Sequence, residues 1–138
     1  TNYERRASVL AKQGVTDARL KDLVASFGEA GAALGWFAGF FAIEEIARIV
    51  GELGVDCGFR RVNGYLCESL IHQGDGAGVL REEVALARKL GFDADFVEAA
   101  PLVDRPAMRL MGQALIDPRA YLSELAKAIA THRPSLVR

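Results

Sequence analysis

The sequence predicts an α+β fold, in which helices accompany a small antiparallel sheet. Three observations support this prediction: apolar residues recur at helical spacing in several stretches, an Asn-Gly pair separates two short extended runs, and a helix-start signal follows the last extended run. The chain has 138 residues, with 17 Lys plus Arg, 18 Asp plus Glu and a formal net charge of −1. Hydrophobic residues make up 51% and charged residues 25%. This balance excludes a disordered chain and argues against a nucleic-acid binder that relies on a broad basic face.

The length predicts one domain, because domains usually contain about 100–150 residues. We expect three regions within it. Residues 1–53 are predicted to be helical, and residues 54–116 to contain a hairpin, a helix and strands. Residues 117–138 are predicted to form a capped helix that leads back to a truncated strand.

The helical region is predicted to begin with two short helices. Gln13-Gly14 ends the first helix, and Thr16 caps the second because its hydroxyl can accept a hydrogen bond from a free backbone N–H. Gly28 supplies the left-handed residue that ends the second helix.

A long helix is predicted over residues 29–53. Its apolar stripe consists of Leu34, Phe37, Phe41, Ile46, Val50 and Leu53. Gly31, Gly35 and Gly39 recur every four residues and form a smooth face, which favours close packing against a neighbouring helix or strand, or self-association. The apolar run of residues 30–43 is shorter than the ~20 residues that a membrane-spanning helix needs.

The second region contains the strongest turn signal of the chain. Asn63-Gly64 lies between two short extended runs, residues 59–62 and 65–68, and this dipeptide favours a hairpin because both residues tolerate positive φ. An amphipathic helix is predicted over residues 79–90. Further extended segments are expected at residues 96–98 and 108–116.

The last helix is predicted to start at Asp117-Pro118. Asp117 can cap the free N–H groups, and Pro118 fits the first helical position, where its missing N–H is not needed. Pro134 blocks continuation of this helix, and residues 135–138 are expected to begin a strand.

Few sequence motifs indicate a catalytic or ligand-binding site. The glycine-rich segment at residues 74–78 lacks the Lys-Ser/Thr of a phosphate-binding loop and is expected to be an ordinary connection. The acidic pairs at residues 44–45 and 82–83 are expected to lie on solvated helix faces, because neighbours on a helix do not point to the same place. His72 and His132 have no nucleophile that the sequence places beside them, so neither is assigned a catalytic role.

Tyr65 and Arg109 are the candidate residues on the substrate side. Both lie in segments predicted to be extended, and Arg can hold a carboxylate through two parallel hydrogen bonds. In the alternative interpretation, which we favour, Tyr65 packs with its hydroxyl at the rim and Arg109 lies on the surface. No residue is assigned to catalysis, cofactor binding or metal binding.

The cysteine and histidine content indicates a cytoplasmic protein without a metal site. Cys57 and Cys67 are too few for a disulfide scaffold. We expect free thiols, and the alternative is a single bridge between the two. The chain has two His residues and no Cys-x-x-Cys or His-x-x-x-His spacing. No signal peptide is visible in the first ten residues, and no membrane span is predicted.

A series of short segments occurs in a recognisable order along residues 23–138. These segments are FG (27–28), GVDCGFRR (54–61), GYL (64–66), LGFDADFV (90–97), APL (100–102), IDPRAYL (116–122) and LAKAI (125–129). Their order and spacing resemble the central part of FAD-dependent oxidoreductases of the D-amino-acid oxidase type. The resemblance is strongest to the branch of glycine oxidase and gamma-glutamylputrescine oxidase-like enzymes.

The resemblance implies a two-domain flavoenzyme that oxidises a small-molecule amine or amino acid. In this family, a Rossmann-type domain holds FAD, and a second domain with an antiparallel sheet and helices covers the flavin and shapes the substrate pocket. The chain would enter the second domain at residues 59–68 and return to the FAD domain near Asp117. The reaction implied is hydride transfer to FAD, followed by reoxidation of the flavin by oxygen.

The chain departs from this family in one important respect. It has no Gly-x-Gly-x-x-Gly after a strand and no acidic residue placed for the adenosine ribose, so no flavin ligand is assigned. We therefore expect the chain to be the middle of a larger flavoenzyme, without catalysis or tight FAD binding by itself. The alternative is a non-catalytic α+β interaction or self-assembly domain that forms a homo-oligomer.

Overall fold

The helices and strands are described by a computed structural model for residues 18–67 and 76–132. Within these residues, three helices and one three-stranded sheet form an α+β fold, which confirms the predicted fold class. In chain order, the elements are α1 (Leu20–Leu53), β1 (Arg60–Cys67), α2 (Gly76–Lys89), β2 (Ala94–Val97), β3 (Ala107–Leu115) and α3 (Pro118–His132).

Helix α1 contains a kink where the sequence predicts the boundary between two helices. Gly28 has φ 73° and ψ 169°, a conformation that residues other than glycine rarely adopt. Helical structure continues on both sides of this residue and ends at Gly54, which is left-handed with φ 62°. Both predicted breaks are confirmed, whereas the earlier helix lies outside the described residues. The prediction that Thr16 caps the second helix is wrong, because α1 starts at Leu20 with Arg19 at the N-cap position.

A carboxylate from another helix caps the start of α1. The backbone N–H groups of Leu20 and Lys21 both donate to Oε1 of Glu83 on α2, the latter over 3.3 Å. Arg19, at the N-cap position, makes no capping hydrogen bond with its own side chain. Glu83 is only 1% exposed, so the prediction that it lies on a solvated face is wrong. The free N–H groups and positive end of α1 supply partners for Oε1, whereas Oε2 of Glu83 is buried without a hydrogen-bond partner among the described residues.

Strand β1 runs straight through the predicted turn. Asn63 and Gly64 are both inside β1, which pairs with β3 along its length, so the predicted hairpin is wrong. The sheet has the order β1-β3-β2, and both pairs of neighbours are antiparallel. Long-range pairing with β3 therefore overrides the local preference of Asn-Gly for a turn.

A β-bulge in β3 lies opposite the Asn-Gly pair. Val62 is paired with Gln113 and Gly64 with Leu110, so two residues of β3 face one residue of β1. Gly112, one of the two, has φ 73°, as glycine-containing bulges require. The extended segment predicted for residues 108–116 is confirmed, with this irregularity added.

The core lies between one face of the sheet and the helices α1 and α2. Its buried members are Leu20, Ala32, Leu80, Val84, Ala87, Phe92, Ala94 and Met108. The ring of Phe92 is surrounded by the rings of Trp36, Phe37 and Phe40 from α1, with centroid distances of 5.1, 4.6 and 5.8 Å. Helix α1 is thus fixed to the core by aromatic contacts along one side.

Helix α3 starts as the sequence predicts. Oδ1 of Asp117 accepts hydrogen bonds from the backbone N–H groups of Arg119 and Ala120, at 2.9 and 3.2 Å. Asp117 also donates its own N–H to the carbonyl of Cys57 over 2.8 Å, which ties the start of α3 to the chain ahead of β1. The strand predicted for residues 135–138 lies outside the described residues.

Candidate functional site

A polar row crosses the sheet on the face opposite the core. It consists of Tyr65 on β1, Arg109 on β3 and Asp95 on β2, and the pairing places Arg109 directly opposite each of the other two. Residues directly opposite on antiparallel strands have neighbouring side chains. The structure therefore brings together Tyr65 and Arg109, the two candidates from the sequence, and adds a carboxylate.

Side-chain alternation along β3 explains why this row faces away from the core. Met108 and Leu110 belong to the core or pack against it. Arg109 lies between them, and successive side chains of a strand point to opposite faces. The same alternation separates Asp95 from Ala94, which is buried in the core.

Two guanidinium groups hold the carboxylate of Asp95. Arg109 contacts Oδ2 with its Nη2 at 2.5 Å, and Arg88 of α2 contacts Oδ1 with its Nη2 at 2.7 Å. Nε of Arg88 also donates to the carbonyl of Ala94 over 2.7 Å. Arg88 therefore ties the C-terminal end of α2 to strand β2 by two charge-assisted contacts.

These contacts shift the protonation equilibria of both partners. The hydrogen bond from Arg109, followed by that from Arg88, holds the pKa of Asp95 below its ordinary value. The hydrogen bond to Asp95 raises the pKa of Arg109, and Tyr65 contributes in the same direction. Asp95 is thus a carboxylate at neutral pH, and together with two guanidinium groups it forms a cluster with one net positive charge.

Arg109 keeps hydrogen-bonding capacity that Asp95 does not use. Its Nε is buried and has no hydrogen-bond partner among the described residues. The side chain as a whole is 34% exposed, and that of Asp95 is 29% exposed. The exposed part of this guanidinium can bind an anion, such as a carboxylate, from the solvent side. Asp95 fixes the orientation of the guanidinium.

Tyr65 and Arg109 are both partly accessible to solvent. Tyr65 is 38% exposed, and Arg109 is half-buried at its Asp95 contact. The substrate-side role of Tyr65 and Arg109 remains a prediction. The sequence analysis missed Asp95 and Arg88, although Ala94-Asp95-Phe96 has the apolar–polar–apolar alternation of a strand with one buried face.

Other residues singled out in the sequence lie away from this row or outside the description. Residues 76–78 form the first turn of α2 rather than a loop, and residues 74–75 are outside the described residues. His72 is outside them too, and the side chain of His132 is not described. Cys57 and Cys67 are free cysteines, as the sequence predicts.

The described residues do not fit an FAD site. A dinucleotide-binding turn joins a parallel strand to a helix, and the first turn of that helix receives the pyrophosphate. All strand pairs within residues 18–67 and 76–132 are antiparallel, so this part of the chain holds no β-α-β unit of that kind. We therefore derive no chemical step through a flavin.

Metal binding and membrane insertion leave no structural signature in the described part of the chain. Residues 18–67 and 76–132 contain no group of three His, Cys, Asp or Glu side chains that could hold a metal ion. None of the helices described is sufficiently long and apolar to cross a membrane.

Comparisons with known proteins identified no similar protein. No protein-family model matches the chain, and searches of curated proteins and of solved structures gave no significant match.

Proposed function

We propose that this chain supplies a substrate-domain segment of an FAD-dependent oxidoreductase that oxidises a small-molecule amine or amino acid. The observation that carries the proposal is the polar row, in which Arg109 lies between Tyr65 and Asp95 on the non-core face of the sheet. The order of motifs that resembles the D-amino-acid oxidase type supports the same reaction class. The alternative, a surface Arg109 without a ligand, is an outcome of the experiment below.

The role proposed for the row is recognition of the substrate carboxylate. The net positive charge of Arg88, Arg109 and Asp95 attracts an anion, and the Arg109 side chain is 34% exposed, so its guanidinium can receive that anion. Asp95 acts as a positioning residue, because it holds the guanidinium without contacting the substrate. The redox chemistry would belong to FAD held by other segments, since the described residues do not fit that group.

The test uses the complete protein encoded by the reading frame that contains this chain. We expect it to purify with flavin and to transfer electrons from an amine or amino acid to an artificial acceptor. Arg109→Ala should raise the KM for an amino acid by at least about tenfold, because a hydrogen bond to a charged group contributes about 1.5–3 kcal/mol. Arg105→Ala provides the matched control, since Arg105 is exposed in the loop before β3 and should leave KM unchanged.

Two results would contradict this proposal. The first is a complete protein that binds no flavin and oxidises no amine. The second concerns the 138-residue chain alone, from which we expect no tight FAD binding. Flavin absorbance near one equivalent in that purified chain would show that the assignment to a substrate-domain segment is wrong.

A second candidate function, a non-catalytic interaction or self-assembly domain, is favoured by exposed apolar side chains. Leu34, Phe41 and Leu122 are 71%, 70% and 62% exposed, respectively. Contiguous exposed apolar surface marks interaction sites in soluble proteins. Flavin content of the complete protein separates the two candidates, because an interaction domain requires none.

We also propose a cytoplasmic location, which the free thiols of Cys57 and Cys67 support. Free cysteines are typical of reducing compartments. Fractionation of expressing cells would test it, and recovery of the protein with a membrane or secreted fraction would contradict it.

A further inference from the structure

Helix α1 has two apolar sides, of which only one is packed. Ala32, Trp36 and Phe40 lie on the packed side, where they belong to or contact the core. The opposite side carries five exposed residues, which we call the α1 face: Leu34, Gly35, Ala38, Phe41 and Ala42. A helix that is apolar all round is usually buried on all sides. The α1 face therefore requires a partner.

The size pattern of the α1 face identifies that partner. Leu34 and Phe41 are large and protrude, being 71% and 70% exposed. Gly35, Ala38 and Ala42 are small and lie beside them on the same face. A surface with protrusions and matching hollows at related positions is self-complementary, and a two-fold interface uses one patch twice. We propose that the α1 face binds the α1 face of a second copy of this chain, with the two helices antiparallel.

The antiparallel arrangement follows from the positions of the large and small residues. When the two-fold axis passes beside Ala38, Phe41 of each copy lies over Gly35 of the other, and Leu34 lies over Ala42. Ala38 meets its own counterpart and allows the helices to approach closely. Leu34 and Phe41 are seven residues apart, which is the repeat of a helix–helix seam. A parallel arrangement would instead set Phe41 against Phe41 and the small residues against one another, leaving gaps.

The charged residues of α1 are also consistent with an antiparallel pair. Beyond Ala42, the same side of α1 continues with Glu45, Arg48 and Glu52, in which Arg48 contacts both carboxylates at 2.5 Å. This cluster carries one net negative charge. In the antiparallel pair it lies near the second copy's Gly28, where the longer helical segment of α1 begins. The start of a helix is its positive end, and the neighbouring Glu29 is paired with Lys89 over 2.5 Å, so the acidic cluster meets the helix dipole there and no unpaired carboxylate.

The interface is separate from the polar row of the sheet. The inference goes beyond the oxidoreductase assignment and does not depend on whether the complete protein contains flavin. It also gives Gly35 a structural role: an ideal Cβ there would meet no atom of the described residues within 4 Å, so the position is open. In the proposed pair, Phe41 of the second copy fills this position.

Sedimentation velocity on the 138-residue chain tests the proposal. We expect reversible association to twice the chain mass of 14.9 kDa as the concentration rises. Gly35→Leu fills the hollow that receives Phe41 and should raise the dimer dissociation constant at least about tenfold, since overpacking costs about 1–3 kcal/mol. The same change has open space in the monomer, so it leaves the fold intact.

Gly51→Leu is the matched control. Gly51 lies on the same helix, also has no atom within 4 Å of an ideal Cβ, and is outside the α1 face. It should leave the dissociation constant unchanged. A chain that stays monomeric at all concentrations overturns the proposal. So does association, including aggregation, that responds equally to both Leu variants or to neither.

Disulfide crosslinking tests the orientation. Ala38→Cys should crosslink to itself, with the bond located by mass spectrometry between the two introduced thiols. Leu34→Cys should link to Ala42→Cys when the two variants are mixed, because the antiparallel arrangement brings these exposed positions together. Stronger linkage of Ala42→Cys to itself than to Leu34→Cys would indicate a parallel pair and would overturn the proposal.

Discussion

Helices α2 and α3 are similar in length and pattern but differ in how they are packed. Each has an apolar side at helical spacing, and they contain 14 and 15 residues, respectively. Helix α2 buries Leu80, Val84, Ala87 and even Glu83. Helix α3 leaves Leu122 and Ile129 62% and 52% exposed. An amphipathic pattern thus predicts a face that can be buried, while the neighbouring elements decide whether it is.

The largest expected difference between the helices is in the free energy of unfolding that is lost when a leucine of each is replaced by alanine. Leu80→Ala in α2 removes a side chain that is fully buried, and should lower the free energy of unfolding by about 2–5 kcal/mol. Leu122→Ala in α3 should change it by less than about 0.5 kcal/mol, because exposed sites have small effects. Urea denaturation of both variants measures the two values. Equal losses would show that α3 is packed as firmly as α2.

Glu83→Ala should have the next largest effect. It removes the acceptor for the N–H groups of Leu20 and Lys21, and leaving buried donors unpaired costs about 1–3 kcal/mol. Glu82→Ala, at the exposed neighbouring position, is the control and should be nearly neutral. A loss of helical circular dichroism in the first variant alone would locate the effect in α1. Similar behaviour of both variants would contradict the capping role.

Asp117→Ala should weaken the start of α3 by a smaller amount. Its carboxylate caps the N–H groups of Arg119 and Ala120, and loss of such a cap costs about 0.5–2 kcal/mol. Asp117→Asn is the matched variant, since it keeps a capping oxygen and should recover most of the stability. Amide hydrogen exchange in residues 119–121 would report the change. Unaltered exchange in Asp117→Ala would show that α3 does not depend on this cap.

The smallest predicted effect is a pH dependence. The pKa of Asp95 is lowered in the folded chain, so its ion pairs stabilise the fold above the unfolded pKa of about 3.8. This contribution is lost as the pH falls below about 4. Asp95→Asn should therefore lose less melting temperature between pH 5 and pH 3 than the unsubstituted chain. An identical acid dependence would mean that Asp95 contributes nothing to it.

The sequence predicts those features that depend on neighbouring residues along the chain. Gly28, Gly54 and the Asp117-Pro118 start are all found where expected, because each is determined by local backbone conformation or a local side-chain bond. The Asn63-Gly64 hairpin fails because pairing with a distant strand decides the conformation there. Glu83 is missed for the same reason, as its partners are 62 and 63 residues away.

The candidate site was likewise predictable only in its locally determined part. Tyr65 and Arg109 could be selected from residue type and expected strand position. Their direct opposition, and the presence of Asp95 beside them, depend on a strand order in which β3 lies between β1 and β2. Sequence patterns along one strand do not specify which strand is its neighbour, so the ion pairs of the row could not be foreseen.

The bulge at Gly112 determines which side of the sheet each residue of β3 faces. Because of the extra residue, Leu110 and Gln113 occupy the same side of the sheet although three positions separate them. Deleting Gly112 would leave Met111 alone opposite Asn63, so a regular strand would keep both ends of β3 in register. If β3 were instead regular with Gly112 retained and the end near α3 kept its register, Arg109 would rotate into the core and Met108 would face water. The bulge therefore determines whether this surface presents a charge or a thioether.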